Sequence, residues 1–362
     1  MTGLPLPSHD PSRPQFEHPS RRASRPGPNP APGSLWPDSS PGLSSPPDRH
    51  SIRVLDLELV DRTRSRNTES EPTARDLAIL QELDAHRYLD RGQIQSLFFP
   101  GPRSCQYRLR WLLEHGLLNA WRVATRPGRI CRASIYLLSR RGAALLAECR
   151  DEDPRPSLRR AEHALERRFH LVHQLEANQY FVSLAAATRA RPELGLYHWV
   201  GEHGIVSAYA EGEDAGPISD GWGRLLTEDC ESLLHLEWDR GTEQPRRLRL
   251  KLLAYLRYFG DRPQASANQV LLVAPTLARE LQLQRLLREL ADLERECCRF
   301  WTTTAERLLT DGPLGAIWSG GEGGRRLAIT AMAGLPRSPR PIEDSIGKPQ
   351  WWLRRPGGGA GA

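Results

Sequence analysis

Two stretches that cannot build a hydrophobic core bracket this chain, and they confine its folding to the middle. Residues 1 to about 72 are dominated by Pro, Ser, Arg and Gly. Residues 319–362 are similar, with Gly320-Gly321-Glu322-Gly323-Gly324 at one end and Pro356-Gly357-Gly358-Gly359 at the other. Such segments hold too little apolar surface to offset the entropy of ordering them, so both are expected to be flexible tails. The pair Trp351-Trp352, beside Arg354-Arg355, falls within the second. Between the tails, Asp151-Glu152-Asp153-Pro154-Arg155-Pro156 interrupts the apolar pattern and reads as a linker over 151–157. Two folded units are expected, 73–150 and 158–318.

The first unit shows three helical patterns, a hairpin and a closing helix. Leu77, Leu80 and Leu83 have helical spacing. Asp90 can cap a second helix carrying Ile94 and Leu97, which stops before Pro100. Cys105, Leu109 and Leu112 form the apolar stripe of a third, which Gly116 can end. Leu117–Thr125 and Ile130–Leu138 read as strands around the turn Arg126-Pro127-Gly128-Arg129. That order is the plan of a winged helix-turn-helix. Opposite the stripe of the third helix lie Arg103, Tyr107 and Arg110, with Gln106 at the edge; these side chains suit phosphates and base edges in a major groove. Arg126 and Arg129 in the turn could reach the flanking backbone or minor groove. Residues 75–150 hold 13 arginines against 6 Asp and Glu, an excess that surpasses the +6 of the whole chain. Duplex DNA is therefore the expected partner, with a homodimer also allowed.

The second unit alternates differently. A long helix is expected from Leu158 to about Arg189, then strands at Tyr197–Val200, Pro217–Leu226 and Ser232–Asp239. A helix from about Thr242 to Phe259, a buried strand Gln269–Val273, a helix Leu277–Glu294 and a strand near Phe300–Thr303 complete it. The order αβββαβ predicts a mixed α/β sheet, so the fold class is α/β behind an α+β N-terminal unit.

The six cysteines show no paired C-x-x-C spacing and no zinc-like arrangement, so reduced thiols are expected. The N-terminus lacks the features of a signal peptide, and no apolar run approaches the ~18 residues of a membrane span. A cytoplasmic protein without membrane contact is expected.

Lysine usage singles out the candidate chemistry. Only Lys251 and Lys348 occur among 50 Lys and Arg residues, and Lys348 falls in the expected tail. A compact ammonium aimed at one oxygen is not replaceable by a planar guanidinium. In Leu234-His235-Leu236-Glu237-Trp238-Asp239, strand alternation puts His235, Glu237 and Asp239 on one face. Asp220 stands on the preceding strand and can converge with Glu237 if the two pair. Neighbouring carboxylates repel, so Mg²⁺ is a natural occupant, with Asp220, Glu237 and Asp239 as ligands. Lys251 shares a helix face with Arg247 and Tyr255 and could meet a phosphate. The plainer reading makes Asp239 and Thr242 helix caps and Glu243 a complement to the helix dipole.

Taken together, Ser219-Asp220-Gly221, Leu236-Glu237-Trp238-Asp239-Arg240-Gly241-Thr242-Glu243, Lys251 and Tyr255 resemble the replication-relaxation family of bacterial plasmid and mobile-element proteins. His173-Gln174-Leu175-Glu176-Ala177-Asn178 is similar to that family's His-x-Leu-x-x-Asn segment. The resemblance implies a winged helix joined to a domain similar to the PD-(D/E)XK nuclease fold, acting in plasmid replication and DNA relaxation. It implies Asp220, Glu237 and Lys251 as catalytic residues, with His173 or Glu176 available to complete a metal site. The chain departs from the nuclease pattern where Asp239 stands two residues after Glu237 instead of lysine, and where Ser219 precedes Asp220 instead of proline. Either Lys251 is the displaced lysine, or the core is a degenerate nuclease kept for binding and assembly.

Overall fold

Thr73 opens the first helix, α1 (Ala74–His86). Its hydroxyl accepts from the Asp76 N–H at 3.4 Å while the Asp76 carboxylate takes the Thr73 N–H at 2.6 Å. The structure, a computed structural model, describes residues 57–59, 71–126, 129–166, 170–202, 204–206, 216–260, 267–291, 299–320, 325–337 and 341–353. Asp90 forms the same reciprocal cap with Gln93 and starts α2 (Arg91–Phe98) directly after strand β2 (Leu89–Asp90). In α3 (Pro102–Glu114) a proline occupies the first turn, where no N–H is needed. Cys105, Leu109 and Leu112 are buried on that helix as their spacing predicts, and burial pushes the Cys105 thiol up to about 12. β3 (Leu118–Arg126) and β4 (Arg129–Leu138) pair antiparallel, with β2 on the far side of β4.

The expected N-terminal tail needs one correction. Strand β1 (Leu57–Leu59) pairs antiparallel with Trp121–Val123 of β3. A three-residue strand needs only backbone partners, and the open edge of β3 supplies them. Residues 1–56 and 60–70 lie outside the described residues, as do Pro127 and Gly128 of the hairpin turn.

The expected linker 151–157 is a tight turn followed by helix. Asp151 ends α4 (Arg140–Arg150) in the left-handed region at φ 54, and α5 (Pro154–Glu166) begins three residues later. Asp84 of α1 ties this corner down: it accepts from Ser157 at 3.3 Å and from Arg160 at 2.7 and 2.9 Å. The two expected units share one apolar core, running from Ala78 through Leu146 and on from Ala161 to Trp351. The long helix expected over 158–189 is two helices, α5 and α6 (Leu171–Thr188), with residues 167–169 between them outside the described set.

Three strands follow, β5 (Gly195–Gly201), β6 (Gly221–Leu226) and β7 (Cys230–Trp238), paired antiparallel in sequence order. Helix α7 (Pro245–Gly260) crosses over to β8 (Asn268–Ala274), which lies parallel to β7. α8 (Leu277–Ala291) then leads to β9 (Arg299–Thr304), parallel to β8. Every residue of β8 is buried, as befits a strand covered on both faces. On one face sits α6, and it sits close: a Cβ on Gly221 would lie 2.5 Å from the Phe181 ring. On the other, Leu248, Leu252 and Tyr255 of α7 pack with Val270 and Leu272. The result is a mixed sheet between helical layers.

The expected C-terminal tail is also corrected. After α9 (Ala305–Thr310), strands β10 (Trp318–Gly320) and β11 (Arg326–Leu327) extend the sheet, and β12 (Leu335–Pro336) pairs with the start of β7. Arg326 reaches the buried Glu280 carboxylate at 2.8 and 3.0 Å. Ile346 bridges to Leu196, and Trp351 is fully buried, 5.5 Å from the Phe98 ring. Gly347 has φ +85, and a Cβ there would lie 2.8 Å from the Ala185 carbonyl. Lys348 is buried, its ammonium donating to the Thr188 carbonyl at 2.7 Å and the Arg191 carbonyl at 2.5 Å. A cation there complements the C-terminal end of α6. Composition misled because isolated anchors, not a periodic apolar face, hold this segment. Among the described residues no helix is long and apolar enough to cross a membrane.

Candidate functional site

The pairing of β6 with β7 brings the sequence-predicted acids together. Gly221 stands opposite Leu236, and the Asp220 N–H donates to the Leu236 carbonyl at 2.9 Å, so Asp220 and Glu237 meet at one end of the two strands. Asp220 Oδ2 accepts from the Trp238 N–H at 2.7 Å and its Oδ1 contacts His173 Nε2 at 3.0 Å. Glu237 Oε1 accepts from the Tyr255 hydroxyl at 2.6 Å, and Oε2 is ion-paired with Lys251 Nζ. Lys251 and Tyr255 therefore do share the face of α7 that the spacing implies, and that face points into the sheet. Arg247, one turn earlier, is exposed.

Asp239 departs from the expectation. It accepts from Arg279, at the start of α8, at 2.5 Å and from the Gly241 N–H at 2.6 Å. The same arginine donates to the Glu243 carbonyl at 3.0 Å, so Asp239 fastens the β7–α7 turn to α8. His235 bonds Asn268 at 3.0 Å beside Phe259, and burial pushes its pKa down to about 4, leaving a neutral ring. On α6, Glu176 Oε2 accepts from the Trp238 indole at 3.1 Å. Asn178, two residues further on, donates to the Tyr88 carbonyl at 2.8 Å, locking α6 to the first unit. The His-x-Leu-x-x-Asn segment thus supplies one contact to the acidic pair and one to the fold.

The electrostatics follow from burial and neighbours. Burial pushes Glu237 up to about 7 against the pull of Lys251, and Asp220 adds to the rise. Burial disfavours the Lys251 ammonium, but Glu237 and Asp220 override it and hold the lysine above its ordinary range. Burial likewise works against Asp220 and His173 as ions, yet their mutual contact lowers the acid and raises the imidazole. Two acids thus face two cationic groups inside the protein.

This pairing bears directly on the Mg²⁺ expected from sequence. All four carboxylate oxygens of Asp220 and Glu237 already contact donors of the protein. Asp239 is spent on Arg279, and His173 and Glu176 face Asp220 and Trp238 rather than an ion. Among the described residues no group of three or more His, Cys, Asp or Glu side chains is arranged to hold a metal ion. As paired here, the acidic side chains do not present an open set of ligands to a metal.

A pH signature follows. His173 has its folded pKa raised above 6.5, so its contribution is whole below that value and fades as pH rises through the raised one. The melting-temperature gap between wild type and His173→Ala is expected to be wider near pH 6 than near pH 9. Calorimetry showing the same gap at both would contradict the contact.

The other sequence-predicted site lies on α3. Arg103, Gln106, Tyr107 and Arg110 are all exposed, and Tyr107 retains 72% of its accessible surface. Arg108, on the same helix, turns inward instead; it chelates the Asp76 carboxylate and lies 4.0 Å from the centre of the Trp111 ring. Arg126 and Arg129 stand opposite each other at the hairpin end, and their side chains lie outside the described residues.

Compared with known families, the chain matches the replication-relaxation model over residues 80–273, more than half its length. The chain belongs to the replication-relaxation family. The match spans α3, His173, Asp220, Glu237 and Lys251, so both candidate sites lie in the portion shared with the family. Lys348 and Trp351 fall beyond it, and nothing in the family resemblance signalled them. No curated protein matches the chain.

Proposed function

We propose that this replication-relaxation protein binds duplex DNA through α3 and the β3–β4 hairpin, and serves plasmid replication and relaxation as a binding and assembly factor. The observation that carries this reading is the division of labour on α3. Arg108 is consumed by the fold, whereas Arg103 and Arg110 stand exposed without an ion pair among the described residues. Guanidinium groups kept free beside an exposed amide and phenol suit phosphates and base edges. The order of α1, β2, α2, α3 and the β3–β4 hairpin, with β2 closing the sheet beside β4, supports a winged helix-turn-helix. In the second body, α6 followed by the antiparallel β5–β7, the crossing α7 and the parallel β8 supports a likeness to the PD-(D/E)XK core.

The saturated carboxylates favour binding over nicking by Asp220, Glu237 and Lys251. In this reading the nuclease-like sheet is a platform whose acidic pair is neutralised internally. Gel retardation of a duplex at graded salt tests it. Arg103→Ala and Arg110→Ala are each expected to cost about 1–3 kcal/mol of binding and to flatten the salt slope by about one unit if the arginine meets a phosphate. Failure of the wild-type protein to retard duplex DNA at low salt would sink the reading.

A further inference from the structure

Beside the exposed face of α3, and sharing Tyr107 with it, lies a cavity of about 470 Å³. Its walls include Arg75 from α1, Phe99, Ser104 and Tyr107 near α3, and Gln350 and Trp352 from the C-terminal segment. The Arg75 guanidinium lies between two rings, 5.1 Å from the centre of Phe99 and 5.0 Å from that of Trp352. Its Nε is buried and has no hydrogen-bond partner among the described residues. Gln350 adopts φ +53, a left-handed conformation that a side chain normally avoids. The neighbouring turn sends Trp351 into the core and leaves Trp352 half-buried at the cavity wall.

Flat apolar walls and a cation against two rings together suit a planar ligand that carries acceptors. A base inside a duplex offers a groove only its edge. An unpaired base offers its whole π-face, ring acceptors and an adjoining phosphate. We propose that this cavity takes an unpaired base from a single-stranded stretch flanking the duplex held by α3. The base stacks against Trp352, and Arg75 donates to it. The inference rests on the duplex-binding reading and adds to it a preference for junctions between double and single strands, the DNA form that replication and relaxation both generate.

The test compares a blunt duplex with the same duplex carrying a single-stranded extension, with 2-aminopurine at the first unpaired position, using the full-length chain. The extended DNA is expected to bind roughly tenfold tighter, the worth of one stacked base, with quenching of the 2-aminopurine emission. Trp352→Ala and Arg75→Ala should each abolish the gain and the quenching while binding blunt duplex as wild type does; Trp352→Phe should keep part of both. Because Arg75 belongs to α1 and Trp352 to the C-terminal segment, a folding defect in one variant leaves the other to decide. Equal affinity for the two DNAs without quenching would overturn the inference, as would variants that keep the tenfold gain. If blunt duplex binds and the extension adds nothing, this inference alone fails; if neither DNA binds, the duplex reading fails with it.

Discussion

Replacing Lys251 by alanine is expected to destabilise the protein by about 3–5 kcal/mol, because it leaves the Glu237 carboxylate buried beside Asp220 without its cation. At roughly 2–4 °C per kcal/mol for a body of this size, melting should fall by about 10 °C. Lys251→Arg should not restore it: a planar guanidinium does not fit where one ammonium is aimed at one carboxylate oxygen beside a buried tyrosine. The double variant Glu237→Gln, Lys251→Met should be milder than Lys251→Ala, since it removes both members of the pair instead of stranding one. Thermal melting of the series checks this, and a Lys251→Ala protein that melts with wild type would refute the buried pair.

Deleting residues 341–362 is expected to be still more damaging. The deletion removes Ile342, Ile346 and Trp351 from the core, each worth roughly 2–5 kcal/mol when a buried side chain is lost. It also removes the Lys348 cap on the end of α6 and the Gly347 carbonyl that Arg189 binds at 2.6 Å. The sum is on the order of the whole stability of a domain, ~5–15 kcal/mol. The shortened chain should be insoluble or lack a cooperative transition. Lys348→Met in the intact chain should cost about 2–4 kcal/mol, since two buried carbonyls lose a charged donor. A truncated protein that melts cooperatively at the wild-type temperature would contradict the docking.

How far the sequence carries the reader is plain from particular residues. Cys105, Leu109 and Leu112 announced the inner face of α3 and thereby the outer one, because a helical period fixes both at once. Period-two alternation likewise put Glu237 opposite Trp238's face, and the pairing of β6 with β7 delivered Asp220 beside it. What alternation cannot supply is the identity of the donors that arrive from other layers. His173 comes from α6 and Lys251 from α7, and both contact the carboxylates. Arg279 was not legible beside Asp239 for a related reason: it reaches Asp239 because β8 lies parallel to β7 and sets the start of α8 near the end of β7. Lys348 was overlooked because proline and glycine around it suggested disorder. Its rarity was the available signal, since this chain keeps lysine at just two positions, and in both the ammonium points at oxygens inside the protein.

The most direct measurement is the fate of supercoiled plasmid incubated with the purified protein in Mg²⁺ or in EDTA. With the acidic pair closed by Lys251 and His173, the plasmid should be retarded in a gel yet remain supercoiled in both. Open circles that form only with Mg²⁺, and vanish with Asp220→Asn, would show instead that those carboxylates serve a metal and cut the strand.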